Sequence, residues 1–151
     1  ANGARVVHCT AEFRADRAGS KANAPMLRGA AGTDPHLVTG TPSAEVVPEI
    51  GVVDTDLVVP RYHGMSPFTG TQLDQLLRNC GVTTVIAAGV SLNIGIVGMT
   101  IEAVGLGYHV VLPTDAVAGV PREYGEQVIR HTLAPLTARL TTAQILEVWG
   151  A

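Results

Sequence analysis

Apolar residues fall in short runs broken by glycine, proline and small polar residues, and the length and spacing of each run predicts its element. Val6-Val7-His8-Cys9 predicts a strand over Arg5–Thr10. From Ala11 to Glu49 there is no helical period, and Gly19, Gly29, Gly32, Gly40 and four prolines predict a long loop. Loops of that length in a compact domain are usually functional. Leu57-Val58-Val59 predicts a strand ended by Pro60, followed by a polar loop through Arg61, Tyr62 and His63 to Phe68. Thr71 is placed to cap a helix to about Asn79, with Leu73, Leu76 and Leu77 on one face and Gly81 as its closing glycine. Val82–Ala88 is almost continuously apolar, the pattern of a strand buried on both faces of a parallel sheet.

Gly89-Val90-Ser91-Leu92 then predicts a turn, and Asn93–Leu106 a helix stopped by Gly107. His109–Leu112 predicts a strand, Pro121 opens a helix to about Leu133, Arg139-Leu140 predicts a short strand, and Thr142 caps a last helix ending near Trp149. The alternation of strands and helices implies right-handed β-α-β units, so the expected class is α/β with a mostly parallel, Rossmann-like sheet in three layers. Ligands of such sheets sit at the carboxyl ends of the strands. Those ends carry Thr10-Ala11-Glu12, Arg61-Tyr62-His63, the turn from Gly89 to Asn93, and Thr114-Asp115.

Composition narrows the function. The 151 residues suit one domain, and 46% hydrophobic against 15% charged residues supplies a core and excludes a disordered tail. A net charge of −3 without a basic stripe argues against a nucleic-acid surface. Asn79–Ile101 is uncharged and long enough to cross a bilayer, but Gly81, Gly89, Gly95 and Gly98 break it, and no membrane helix is expected. Two cysteines, Cys9 and Cys80, make no disulfide scaffold. With the opening Ala1-Asn2-Gly3 lacking a signal-peptide pattern, they point to the cytoplasm. Arg14, Asp16, Arg17 and Lys21 are expected to form a solvated face.

Several ordered motifs resemble the isochorismatase-like cysteine hydrolases. They are Val58-Val59-Pro60-Arg61, Ser66-Pro67-Phe68, Thr71-Gln72-Leu73, the run Gly89-Val90-Ser91-Leu92-Asn93-Ile94-Gly95, Ala103, Gly107-Tyr108, Asp115-Ala116-Val117 and Thr141-Thr142. The resemblance implies that family's three-layer fold over residues 1–151, a small polar ligand such as an amide or enol-ether acid, and a homo-oligomer. It also implies a Cys-Asp-Lys triad, from which the sequence departs. The position of the nucleophilic cysteine, six after Gly89, holds Gly95. The lysine position holds Arg61 counted from the strand, or Tyr62 counted back from Ser66. Arginine stays protonated and cannot pass a proton as lysine can. The family's first, central strand, which ends in the aspartate, has no match before Val6. A chain without that strand and the helix after it is N-terminally incomplete, and another chain is one source of the missing strand. The metal-binding Asp/His cluster of some members has no match after Cys9, so neither metal nor cofactor is expected.

Loss of the thiol removes covalent catalysis and leaves polarisation. Helix-start N–H groups near Asn93–Gly95 are expected to face a ligand, and Arg61 to add fixed charge. The expected ligand-facing residues are Glu12, Tyr62, His63, Ser91, Leu92, Asn93 and Ile94. Asn93 is also a candidate helix cap, and Asp115 a helix or turn cap. Two alternatives remain. One is an active hydrolase that uses Ser91, with Asp115 and His131 following in chain order, or a water held by His63. The other is a structural subunit that pairs with a companion chain.

Overall fold

The computed structural model describes residues 3–30 and 36–150. Ala1, Asn2 and Gly32, named above, lie outside the described residues. The chain forms two compact units, Gly3–Thr71 and a second from Gln72 onward.

In the first unit β1 (Val7–Ala11) pairs in parallel with β2 (Leu57–Arg61), His8 beside Val58 and Ala11 beside Arg61. A six-residue helix, α1 (Pro25–Ala30), interrupts the segment expected to be all loop. Pro60 does not end its strand, contrary to expectation. The N–H of Leu57 donates to Val6 and the carbonyl of Arg61 accepts from Glu12, both toward β1. By alternation Pro60 turns its missing N–H to the outer side, where no ladder bond is lost. The expected solvated face is also divided. Arg14 and Asp16 form an exposed ion pair at 2.8 Å, whereas the Arg17 guanidinium lies 4.6 Å over the Phe13 ring with a buried, unpartnered Nη1. His8 Nε2 and Asp56 Oδ2 meet at 3.0 Å and tie β1 to the residue before β2.

The second unit begins with α2 (Leu73–Asn79), which buries Leu73 and Leu77. Thr71 does not cap it; Gln72 holds that position, and the Thr71 hydroxyl donates to the Pro67 carbonyl. Gly81 follows the helix at φ +68, the left-handed conformation its closing role requires. β3 (Thr84–Ile86) pairs with β5 (His109–Pro113), and β5 with β7 (Ala138–Leu140), all parallel. β3 is therefore an edge strand among the described residues, and its exposed Thr84 and Ile86 show that it is not buried on both faces. Ile86 remains 38% exposed, while Leu112 at the centre of the sheet is fully buried.

The turn expected at Gly89–Leu92 contains a strand pair instead, β4 (Gly89–Val90) beside β6 (Val117–Ala118). The helix after it does not begin at Asn93. Ser91 takes the cap position, Leu92–Ile96 form a wide turn in which Ile96 N–H reaches back to the Ser91 carbonyl, and α3 (Val97–Gly105) follows. Pro121 precedes α4 (Arg122–Gln127), which widens through Val128–Leu133. α5 (Thr142–Val148) is capped by Thr141, not Thr142. Thr141 Oγ1 accepts from Gln144 N–H, and the Gln144 side chain accepts from Thr141 N–H. The architecture is α/β with parallel sheets, as expected.

Candidate functional site

The carboxyl ends of β1 and β2 bring several candidates into the first unit. Cys9 and Val59 share a register position, as do Ala11 and Arg61, so Cys9, Val59 and Arg61 lie on one face. Val59 is 1% exposed and anchors that face. Arg61 is half-buried, its Nη1 lies 3.4 Å from the Met65 carbonyl, and burial lowers its pKa. Among the described residues it has no carboxylate partner. The Cys9 residue surface is open, yet the atoms packed around its sulfur push the thiol up to about 11, against the pull of the Arg61 charge. A thiol so placed is held in its protonated form near neutrality, whereas the thiolate is the attacking form.

Glu12 stands on the opposite face. It follows Ala11 in the strand alternation and lines a cavity with Thr10 and Val58, where Thr10 Oγ1 donates to its carboxylate at 2.8 Å. Tyr62 and His63 are held by the long loop. Ser20 Oγ donates to the Tyr62 carbonyl at 2.6 Å, and Lys21 N–H donates to His63 Nδ1 at 3.3 Å. His63 thus spends one ring nitrogen on loop structure.

In the second unit a cavity of about 280 Å³ lies against the wide turn, lined by Val90, Ser91, Asn93, Ile94 and the facing segment Ala118–Val120. Gly119 lets the two sides approach: a Cβ there would stand 3.0 Å from Asn93 Oδ1 and 3.2 Å from Leu92 Cβ. Ser91 is exposed and its side chain makes no capping bond, while its carbonyl accepts from Ile94 at 3.3 Å and Ile96 at 3.0 Å. The Ile94 N–H is therefore spent inside the turn. Leu92 is buried, and Gly95 is half-exposed in the same turn but not among the residues lining the cavity.

The serine arrangement is not assembled among the described residues. Asp115 Oδ1 accepts from Thr142 N–H at 2.8 Å and from its hydroxyl at 3.0 Å, which holds the start of α5 and lowers the carboxyl pKa. His131 is exposed on the widened helix after α4. The residue that strand reading overlooked is Cys9. Its place beside Arg61 follows only from the register of β1 on β2.

The family model for the isochorismatase domain matches residues 1–145. An uncharacterized isochorismatase family protein of Bacillus subtilis (strain 168), YwoC, is 38% identical over 104 residues, 69% of this chain and 54% of that protein. The chain spans about half the length of the curated relatives it matches, 54% and 57%. An isochorismatase family protein from Desulfovibrio vulgaris subsp. vulgaris str. Hildenborough superposes with a TM-score of 0.85 at 27% identity, over 99% of this chain and 77% of that one. The pyrazinamidase of Pyrococcus horikoshii in complex with zinc superposes at 0.74 and 25% identity, over 92% and 76%. For a zinc of that kind the donor set does not fit: no three His, Cys, Asp or Glu side chains gather among the described residues.

Proposed function

The chain belongs to the isochorismatase family, and from that premise we propose that it binds a small polar molecule, an amide or enol-ether acid, without the family's thiol chemistry. The observation that carries this is Gly95, which has no side chain where the resemblance places the attacking sulfur. Cys9 does not replace it, because its thiol is held at about 11. The cavity against the wide turn offers the Ser91 hydroxyl and the Asn93 carboxamide within apolar walls from Val90, Ile94 and Val120. That set suits a flat ligand with one amide-like edge. Arg61, in the first unit, keeps its proton and is a fixed charge there, not a proton carrier. The pyrazinamidase likeness supports the amide half of the reading.

Within the same proposal the protein works as an oligomer or with a companion chain. Among the described residues β1 and β3 each pair on one side only, which leaves backbone groups that an added parallel strand would satisfy. A cytoplasmic setting is proposed on the two free thiols. No helix of the described residues is long and apolar enough to cross a membrane.

The test compares the unmodified chain with Ser91→Ala and Gly95→Cys on a panel of small amides including pyrazinamide, esters and isochorismate. Expected are saturable ligand binding weakened by Ser91→Ala and no turnover by the unmodified chain. Turnover that Ser91→Ala abolishes would replace this reading with a serine hydrolase, the reading that the exposed Ser91 hydroxyl favours.

A further inference from the structure

In the first unit a turn of the long loop is fastened to the end of β2 by two hydrogen bonds, one of them at a titratable atom. Ser20 Oγ donates to the Tyr62 carbonyl at 2.6 Å, and Lys21 N–H donates to His63 Nδ1 at 3.3 Å. A backbone N–H only donates, so Nδ1 offers its lone pair and the neutral ring carries its proton on Nε2. The imidazolium has an N–H on both nitrogens and no lone pair left for Lys21. Protonation therefore removes one acceptor and leaves the Ser20 bond in place. The segment so held is strained. Arg17 sits at φ +58, in the left-handed region that an arginine rarely adopts, and its Nη1 is buried without a partner.

The charges of the surrounding elements do not compensate a proton on this ring. Arg14 and Asp16 are spent on one another at 2.8 Å, and the hydrogen bond from Arg14 holds the Asp16 carboxyl down to about 2. Glu12, at the end of β1, accepts from Thr10. Arg17 lies over Phe13, Lys21 follows in the turn, and Arg61 and Tyr62 precede His63 along the chain. Among the described residues His63 has no carboxylate partner.

We propose that His63 is a proton-operated clasp on the long loop. Neutral, it holds the turn Arg17–Lys21 against the end of β2. Protonated, it releases Lys21, and the strained turn hangs by Ser20 beside the half-buried Arg61. Histidine is the usual side chain for a switch near neutral pH. The device lies apart from the cavity at the wide turn and does not depend on the ligand proposed there.

The experiment is a pH titration of the full chain followed by nuclear magnetic resonance. The ring-nitrogen shifts of His63 report its tautomer and its ionisation. Hydrogen exchange at the Lys21 amide, corrected for the intrinsic rate at each pH, reports the clasp. The neutral ring is expected to carry its proton on Nε2. Lys21 protection should fall about two- to tenfold along the ionisation curve of His63, the equivalent of one modest hydrogen bond. The amides of β1 and β2 should not share the loss. His63→Gln, whose side-chain oxygen accepts without titrating, should remove the pH dependence at Lys21. A neutral ring with its proton on Nδ1 would overturn the proposal. So would Lys21 protection that is absent or indifferent to His63 ionisation, a loss shared by β1 and β2, or the same pH dependence in His63→Gln.

Discussion

At the scale of single residues, charge and burial decide what each group can do. Part of the Cys9 residue is exposed while its sulfur is packed about by neighbouring atoms, so the pH profile of its modification, not a single rate, reports its ionisation. In a Cys80→Ser background, alkylation of Cys9 by iodoacetamide should stay slow near neutral pH and accelerate as pH approaches about 11. Arg61→Gln should slow it further at any one alkaline pH, because the arginine charge pulls the thiol value down. Rapid alkylation near neutrality would contradict the assignment. The same shift has a stability consequence. The folded chain holds this proton more tightly than the unfolded one, whose thiol titrates near its ordinary 9.0. The contribution is therefore intact below about 9 and lost as pH rises through about 11.

At the scale of elements, local capping chemistry was largely legible, while the positions of the caps were not. Thr141 and Thr142 both carry the hydroxyl that a helix start wants, and only the Gln144 reach and the Asp115 bond to Thr142 separate their tasks. Asn93 has the right chemistry for a cap but sits inside a wide turn, because Ser91 supplies the carbonyl that two N–H groups seek. The opposing segment approaches closely at Gly119, where a Cβ would stand 3.0 Å from Asn93 Oδ1 and 3.2 Å from Leu92 Cβ. Gly119→Ala should cost about 1–3 kcal/mol in thermal unfolding, the range for overpacking a close contact. Asn93→Ala in the same chain should recover part of the loss, because it removes the nearer of the two atoms in the way. Additive losses in the double variant would place the strain on Leu92 alone.

At the scale of the whole molecule, exposed apolar side chains and one-sided strands are the conspicuous features. Ile50 is 70% exposed and Val53 62%, and among the described residues β3 pairs on one side only and leaves Ile86 38% exposed. Such surfaces seek cover. Sedimentation should therefore show a species heavier than the 15.7 kDa chain, and intact-mass analysis whether the added mass is a second copy or another polypeptide. A stable species of 15.7 kDa alone would count against the oligomer and companion-chain proposal.

By itself the sequence determined the class of fold, and it puts a residue without a side chain at position 95. Apolar runs such as Val82–Ala88 and glycines such as Gly81 and Gly107 act through local pattern and backbone freedom, and Gly95 cannot carry a nucleophile in any conformation. The tertiary structure alone decided which groups share a face. Glu12 and Arg61 both lie at strand ends, yet the register of β1 on β2 turns them to opposite sides and brings Cys9 beside Arg61. Which residues oppose one another across two strands depends on the pairing of segments some fifty residues apart. Local pattern alone carries no record of that register.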